Sequence, residues 1–301
     1  MLSYFVFFLT VAAILAIATL GLNLQWGISG QFNAGVVGFM AVGGYALAVL
    51  TLPPSGRLVV ATHWPFALAL LVSLLLCAAV AWLVGMATLR LRGDYLAIVT
   101  LGFGEIIRIT AKNTKWLGAA EGISDIKRPP SFGPVKFTVL ENRWYWVFGL
   151  VLIVGVVEMQ RLLERSRVGR AWNAIREDED AAELMGVPTF QFKLWAFAIG
   201  ASIGGLAGAF YGGKLTTIYP SDFEIAKSVL FIAAIVLGGI GNRWGAILGA
   251  SLVAYLPERF RFVADKRTLL FGLALLAMMI FRPQGLLPRK VGTEHVADDP
   301  K

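Results

Sequence analysis

Little in this sequence is equipped to make or break bonds, and the spacing of what exists narrows the chemistry further. His63 and His295 are the only histidines, and Cys77 is the only cysteine. No His/Cys metal cluster, intrachain disulfide or Ser/His/Asp set can be assembled from them. No G-x-x-x-x-G-K-[ST] run is present to cradle nucleotide phosphates, and no H-E-x-x-H pair to hold zinc. Gly212-Gly213-Lys214 merely ends an apolar run. Catalytic residues, a metal site and a cofactor are therefore not expected, and energy has to come from a partner or an ion gradient. What remains is a set of polar or flexible residues set among apolar ones. Gln25, Ser29, Gln31 and Asn33 precede a long apolar run. Glu105 and Arg108 stand three apart inside another, and Gly238, Gly239 and Gly241 interrupt a third. In a membrane such groups leave backbone and helix ends lining a solute cavity, so these are the candidate pathway residues. Each has a plain alternative: an interfacial loop for the first group, an i,i+3 ion pair for the second, helix packing for the third.

The elements that must position them are membrane helices. Of 301 residues, 57% are hydrophobic and only 15% charged, against about 25% charged in soluble domains. A spanning helix needs roughly 20 apolar residues. Runs at 4–22, 32–52, 64–89, 94–110, 144–162, 193–213, 225–240, 246–256 and 268–281 approach or meet that length. The expected fold is all-α: a polytopic transmembrane bundle of about eight spans, seven to ten when broken or re-entrant helices are counted differently. The run at 94–110 carries Glu105 and Arg108, so it must face protein or water. The 33 glycines suit close helix contact in lipid. The net charge of +8 belongs to loops facing anionic headgroups; no basic block with interleaved aromatics points to nucleic acid. The apolar start lacks a basic leader and a cleavage site, which marks it as a retained span.

One stretch breaks this pattern. From Glu164 to Phe192 the chain carries Arg165, Arg167, Arg170 and Arg176, followed by Glu177, Asp178, Glu179, Asp180 and Glu183. Trp172, Ile175, Ala182 and Met185 fall on a roughly helical period, and Gly186 supplies a stop. A short amphipathic helix with small residues suits a groove on a soluble partner, although charge runs are commonly just solvated faces. The expected organisation is one membrane domain over 1–290, with this loop at 163–192, a second loop at 112–143 and a polar tail at 291–301. Lys and Arg counts on the two sides nearly balance, so charge alone gives no orientation.

The Asp180-Ala181-Ala182-x-x-x-Gly186 core resembles the EAA loop of ABC importer permeases, with Asp180 where that family usually has Glu. Further stretches carry the likeness from about residue 20 to 290. They are Ser29-Gly30-Gln31 through Gly43-Gly44-Tyr45, Arg90-Leu91-Arg92-Gly93-Asp94-Tyr95, Ser166-Arg167-Val168-Gly169-Arg170-Ala171, Val236 to Gly241, and Phe281-Arg282-Pro283-Gln284-Gly285-Leu286. Together they resemble the M-type permease of branched-chain amino-acid ABC importers. The resemblance implies a second, related permease, two cytoplasmic ATP-binding subunits, an external binding protein, an amino-acid substrate and a place in the bacterial inner membrane. It implies that Glu179, Asp180, Ala181, Ala182 and Gly186 contact or orient toward the ATPase. Enlarging Ala182 to Leu would then block docking and leave folding intact. It puts the loop and tail in the cytoplasm. Simple alternation sets the N-terminus outside, unless Asn23–Asn33 hides an extra crossing or half-helix. One departure stands at Leu117-Gly118-Ala119-Ala120-Glu121-Gly122-Ile123, where the family has T-G-G-x-x-G-I; only the Gly-Ile end survives.

Two other classes fit the composition. A self-sufficient secondary transporter or channel needs an intramembrane ion site, for which Asp94, Glu105 and Glu158 are the candidates, and no inverted repeat is visible. A membrane scaffold would need no broken helices at all.

Overall fold

The computed structural model describes residues 2–52, 63–91, 93–131, 137–138, 142–259, 272–273, 276, 280–282 and 284–288. Helix α1 (Leu2–Leu22) runs directly into a π-helical segment (Asn23–Ile28). It is followed by α2 (Val36–Thr51), α3 (Phe66–Thr88), α4 (Asp94–Asn113) and α5 (Asn142–Arg165). Two short helices, α6 (Arg167–Glu177) and α7 (Glu179–Leu184), precede the longest element, α8 (Thr189–Leu215). Then come α9 (Ile225–Gly238) and α10 (Arg243–Arg259). The strands β1 (Ile123–Ser124) and β2 (Thr217–Ile218) pair antiparallel, Ile123 opposite Ile218. Among the described residues four helices are long and apolar enough to cross a membrane, α1 with its extension, α3, α5 and α8. Val36–Thr51 and Arg243–Leu256 are shorter apolar helices. The expected spans are present within a few residues of their bounds. Most of the run at 268–281, the loop around Pro53 and Pro54, and the tail at 291–301 lie outside the described residues.

Helix α8 is the centre of the bundle. Within its apolar window 78% of residues are buried, against 22% for α3 and for α5. So α8 packs on protein over most of its surface, with Trp195 turned out, whereas α3 and α5 turn Leu71, Leu75, Leu83, Val151 and Val154 outward. An exposed face of that kind suits hydrocarbon, not water. The reason α8 can be central is its small residues. A Cβ on Gly208 would lie 1.8 Å from the Met40 carbonyl of α2, and one on Gly43 would lie 2.1 Å from the Gly205 carbonyl. Where α1 crosses α8, a Cβ on Gly21 would meet the Gly200 carbonyl at 2.6 Å. Backbones touch here, and dispersion over that contact area supplies the cohesion that lipid-solvated helices otherwise lack.

The expected polar break at Asn23–Asn33 is corrected in part. Asn23–Ile28 continues the first helix, and only the stretch from Ser29 to Gly35 is non-helical. No extra crossing is hidden there. The end of this first span meets the 164–192 segment, since Arg176 Nη1 donates to the Gly27 carbonyl. The C-terminal stretch reaches the same end of the bundle, because Leu286 and Leu287 donate to the carbonyls of Leu237 and Gly238, and Gly241 beside them contacts Asn23. The loop and the C-terminal stretch thus share one end, with the N-terminus at the other.

Gly208→Leu should destabilise the protein by about 3 kcal/mol or prevent folding. Gly155→Leu, at an exposed site with nothing within 4 Å of a Cβ, should stay within about 0.5 kcal/mol. Thermal unfolding in detergent, followed by fluorescence-detected size exclusion, checks both.

Candidate functional site

The segment after α5 begins with a cap. Ser166 Oγ accepts from the backbone N–H of Val168 and Gly169, which starts α6. Asp178 then stops α6 and caps α7, its Oδ1 accepting from Ala181 N–H at 3.0 Å. Glu179 and Asp180 fall in the first turn of α7, where negative charge is favourable. Gly186 follows α7 with φ +84°, a left-handed position that ends it and that glycine adopts without strain. The single amphipathic helix expected from the sequence is therefore two helices with a reset at Asp178. On α6 the periodic apolar residues face the bundle and not a partner: Trp172 is fully buried and donates from Nε1 to the Phe192 carbonyl at 2.8 Å, and Ile175 is buried too.

On α7 the period continues to Ala182 and breaks at Met185. Ala182 is only 5% exposed and packs inward, whereas Leu184 and Met185 are 88% and 85% exposed. Ala182→Leu would thus disturb the chain's own packing and does not separate docking from folding. Ala181, Asp180 and Gly186 are exposed, and Glu179 is partly so. The outward surface of α7 is a small apolar knob, Leu184 and Met185, ringed by carboxylates. Sequence reasoning put Met185 on one period with Trp172, Ile175 and Ala182, and missed Leu184. The signal available was Asp178, a capping residue in the middle of the run.

Besides the Trp172 bond to α8 and an ion pair of Glu164 with Arg243 of α10, two contacts clamp the charged stretch of this segment to the bundle. Arg176 reaches the Gly27 carbonyl at the end of the first span. Lys193, near the start of α8 and 7% exposed, donates to both carboxylate oxygens of Glu179 at 3.0 Å. Neither Arg176 nor Lys193 stood out in the sequence as a partner, because each contact spans elements that only the fold brings together. Above the clamp lies a polar cavity of about 220 Å³ whose lining includes Ser29, Gln31, Arg176, Glu179, Asp180 and Lys193. Residues from the two separate candidate sets, pathway and loop, thus share one cavity.

The polar residues before α2 are bonded inside the bundle. Gln25 Nε2 donates to the Phe197 carbonyl of α8 at 2.7 Å, and Gln31 Nε2 to the Lys193 carbonyl at 2.9 Å. Asn33 Nδ2 donates to Gln25 Oε1 at 2.9 Å, and Asn33 Oδ1 accepts from Gly35 N–H. Ser29 Oγ donates to the Gln25 carbonyl. Asn23, absent from the expected set, accepts from Gly241 N–H at 2.9 Å and so ties the π segment to the α9–α10 link. Gly239 and Gly241 have φ of +116° and +86°. A Cβ on Gly238 would lie 1.9 Å from the Gly245 carbonyl, so these glycines make a tight backbone crossing. Glu105 and Arg108 bond each other, Nε to Oε2 at 2.9 Å, on a partly exposed face of α4. They lie apart from the polar cluster. At the opposite end of the bundle, the surviving Gly122-Ile123 is a close approach: a Cβ on Gly122 would lie 2.2 Å from the Ile218 carbonyl. No group of three or more His, Cys, Asp or Glu residues suited to a metal occurs among the described residues.

Comparison with known proteins agrees with this architecture. The family model described as branched-chain amino acid transport system / permease component matches residues 4–282. The high-affinity branched-chain amino acid transport system permease protein LivM of Escherichia coli (strain K12) is 38% identical over 305 residues, covering 93% of this chain and 69% of the relative. A probable branched-chain amino acid transport permease protein LivM of Methanocaldococcus jannaschii is 26% identical, over 91% of this chain and 90% of its own length. The LivH permease of the same E. coli strain is 24% identical over 93% of each chain. No solved structure matches.

Gln25→Leu removes a donor from the Phe197 carbonyl and an acceptor from Asn33. Leaving a buried group unpaired costs about 1–3 kcal/mol, so the variant should melt well below the parent in detergent. An unchanged melting temperature would mean that neither bond contributes to stability.

Proposed function

This chain belongs to the branched-chain amino acid transport permease family, and from that premise we propose that it is one of two related permeases in an ABC importer of the bacterial inner membrane. It moves branched-chain or related amino acids into the cytoplasm. An external binding protein delivers the solute, and of two ATP-binding subunits one docks on the segment at 163–192. ATP hydrolysis falls to those subunits, and this chain supplies the path and the lever.

The observation that carries the docking role is the exposed apolar pair on α7. A large side chain left in water costs free energy, and such a patch ringed by polar groups is a usual mark of a protein contact. Leu184 and Met185 are exposed on a capped helix outside the apolar spans, with exposed Glu177, Asp178, Asp180 and Glu183 beside them. Those carboxylates disfavour lipid as the cover. A folded groove on a soluble subunit fits both features. Of the loop residues, Ala181 and Gly186 join that surface, Glu179 holds it to α8 through Lys193, and buried Ala182 sets its distance from the bundle.

For the pathway the buried amides have a supporting role: they fix the ends of α1 and α8 on the cytoplasmic side. Gly238, Gly239 and Gly241 form the adjoining turn. The single-domain organisation over 1–290 is consistent with helices that all pack, directly or through a neighbour, on α8.

Leu184→Asp tests the docking surface. Being exposed, the site should tolerate the change within about 0.5 kcal/mol. The tagged variant, extracted in mild detergent, should keep the second permease and lose the ATPase, with leucine uptake falling at least tenfold. Retention of the ATPase with normal uptake would reject the docking surface. A chain that purifies alone and transports in liposomes without ATP would replace the importer reading with a secondary transporter.

A further inference from the structure

At the end of the bundle opposite the coupling segment, α1, α8, α9 and α10 enclose a cavity of about 310 Å³. That is near the lower bound of small-molecule sites. Its wall is largely aliphatic, with Val11, Ile14, Leu15, Leu230 and Val253, and it reaches inward to Met40 of α2. Two cations line it, Lys214 from the last turn of α8 and Lys227 from the first turn of α9. The Lys214 ammonium stands 4.3 Å from the centre of the Tyr145 ring. The Lys227 ammonium stands 3.4 Å from a carboxylate oxygen of Asp222. Asp222 stands behind Lys227, its other carboxylate oxygen accepting from Tyr219 N–H at 3.0 Å. A largely aliphatic cavity lined by two cations, one of them beside a carboxylate, suits an aliphatic α-amino acid.

We propose that this cavity receives the branched side chain of the transported amino acid on the external side, with Lys227 meeting its carboxylate and Asp222 its ammonium. The proposal rests on the transport reading above, which supplies the ligand class. It adds a location and a reason for selectivity. A methylene more or less in an apolar pocket changes discrimination roughly tenfold or more, so a filled wall favours leucine, isoleucine and valine over alanine. The rim also argues for a small zwitterion over an anionic lipid, because Asp222 would repel a phosphate headgroup drawn to Lys227. An acyl chain entering beside the exposed Phe7 is the competing occupant.

The test uses the whole complex, both permeases, ATPases and binding protein, in proteoliposomes, with labelled leucine and alanine. Ala254→Phe, on the cavity wall, fills the hole. Lys227→Met keeps the stem and removes the charge. Ala254→Phe should cut leucine uptake about tenfold or more and alanine uptake far less. Lys227→Met should raise the KM for both amino acids about tenfold, and it keeps the test decisive if Ala254→Phe does not assemble. Leucine kinetics like those of the parent in both variants would overturn the proposal. So would native mass spectrometry that finds a phospholipid retained by the parent and lost from Ala254→Phe, with leucine uptake unchanged. A parent complex that takes up no leucine at all would overturn the transport reading itself, and the ligand class with it.

Discussion

The fold depends on satisfying backbone groups where no water can reach them. Inside a membrane protein every buried carbonyl and amide must find a partner within the protein. The first span leaves regular α geometry at Asn23, which disturbs its own ladder: Ser29 N–H reaches back five residues to Leu24, and Gln31 N–H six to Gln25. Wide turns of this kind are sustained only when neighbours compensate. Here side-chain amides anchor the wide turn to its neighbours. Gln25 and Gln31 donate to carbonyls of α8, Asn33 donates to Gln25, and Asn23 accepts from the α9–α10 link. One irregular turn therefore joins the first span, the central helix and the C-terminal pair.

That junction requires contact between backbones, which is where the glycines enter. Gly200 leaves room for Gln25, whose Cγ would lie 2.4 Å from a Cβ there. Without that space the amide would not reach the Phe197 carbonyl. The same logic recurs along α8 at Gly205 and Gly208 against α2. The polar bonds fix orientation and the small residues permit approach; neither suffices without the other. Cys77 belongs to this packing too, its thiol donating to the Ala201 carbonyl from a fully buried position, which explains a lone cysteine with no redox partner.

Long uninterrupted apolar runs were legible in the sequence almost to the residue. The run at 64–89 became Phe66–Thr88, because lipid-length hydrophobicity leaves a chain few alternatives to helix. The Glu105–Arg108 pair was legible as well, since i,i+3 spacing alone brings the two groups together. Asn23–Ile28 was not, because polar residues with glycine read as a loop, and the carbonyls that keep this segment helical lie some 170 residues away on α8. The outward face of α7 was obscured by Asp178, which caps a new helix. Ala182 stays buried with Trp172 and Ile175, but the period ends there, and Leu184 and Met185 turn outward. Lys214 and Lys227 carry no motif; a turn and a short 3-10 helix separate them in sequence, and only the meeting of α8 with α9 brings them to one cavity.

Helix α8 connects the two ends of the proposed cycle. Lys193 and Lys214 are 21 residues apart in it, about 30 Å along a helix axis and close to the thickness of the hydrocarbon core. One lysine is bonded to Glu179 in the segment at 163–192, and the other lines the cavity at the far end. Close-packed interfaces on several sides oppose bending of α8 partway, because local curvature would drive its glycine backbones into their neighbours. A displacement at Glu179 is therefore more readily accommodated as a shift or tilt of the whole helix. Arg176 moves with the same segment and holds the end of the first span, so α1 is drawn along with α8. Both helices line the cavity near Lys214, together with α9 and α10, so joint movement of α1 and α8 against that pair would reshape the cavity at the far end. Coupling between the two sites then needs no chain of side-chain switches, only two tightly packed helices clamped at one end.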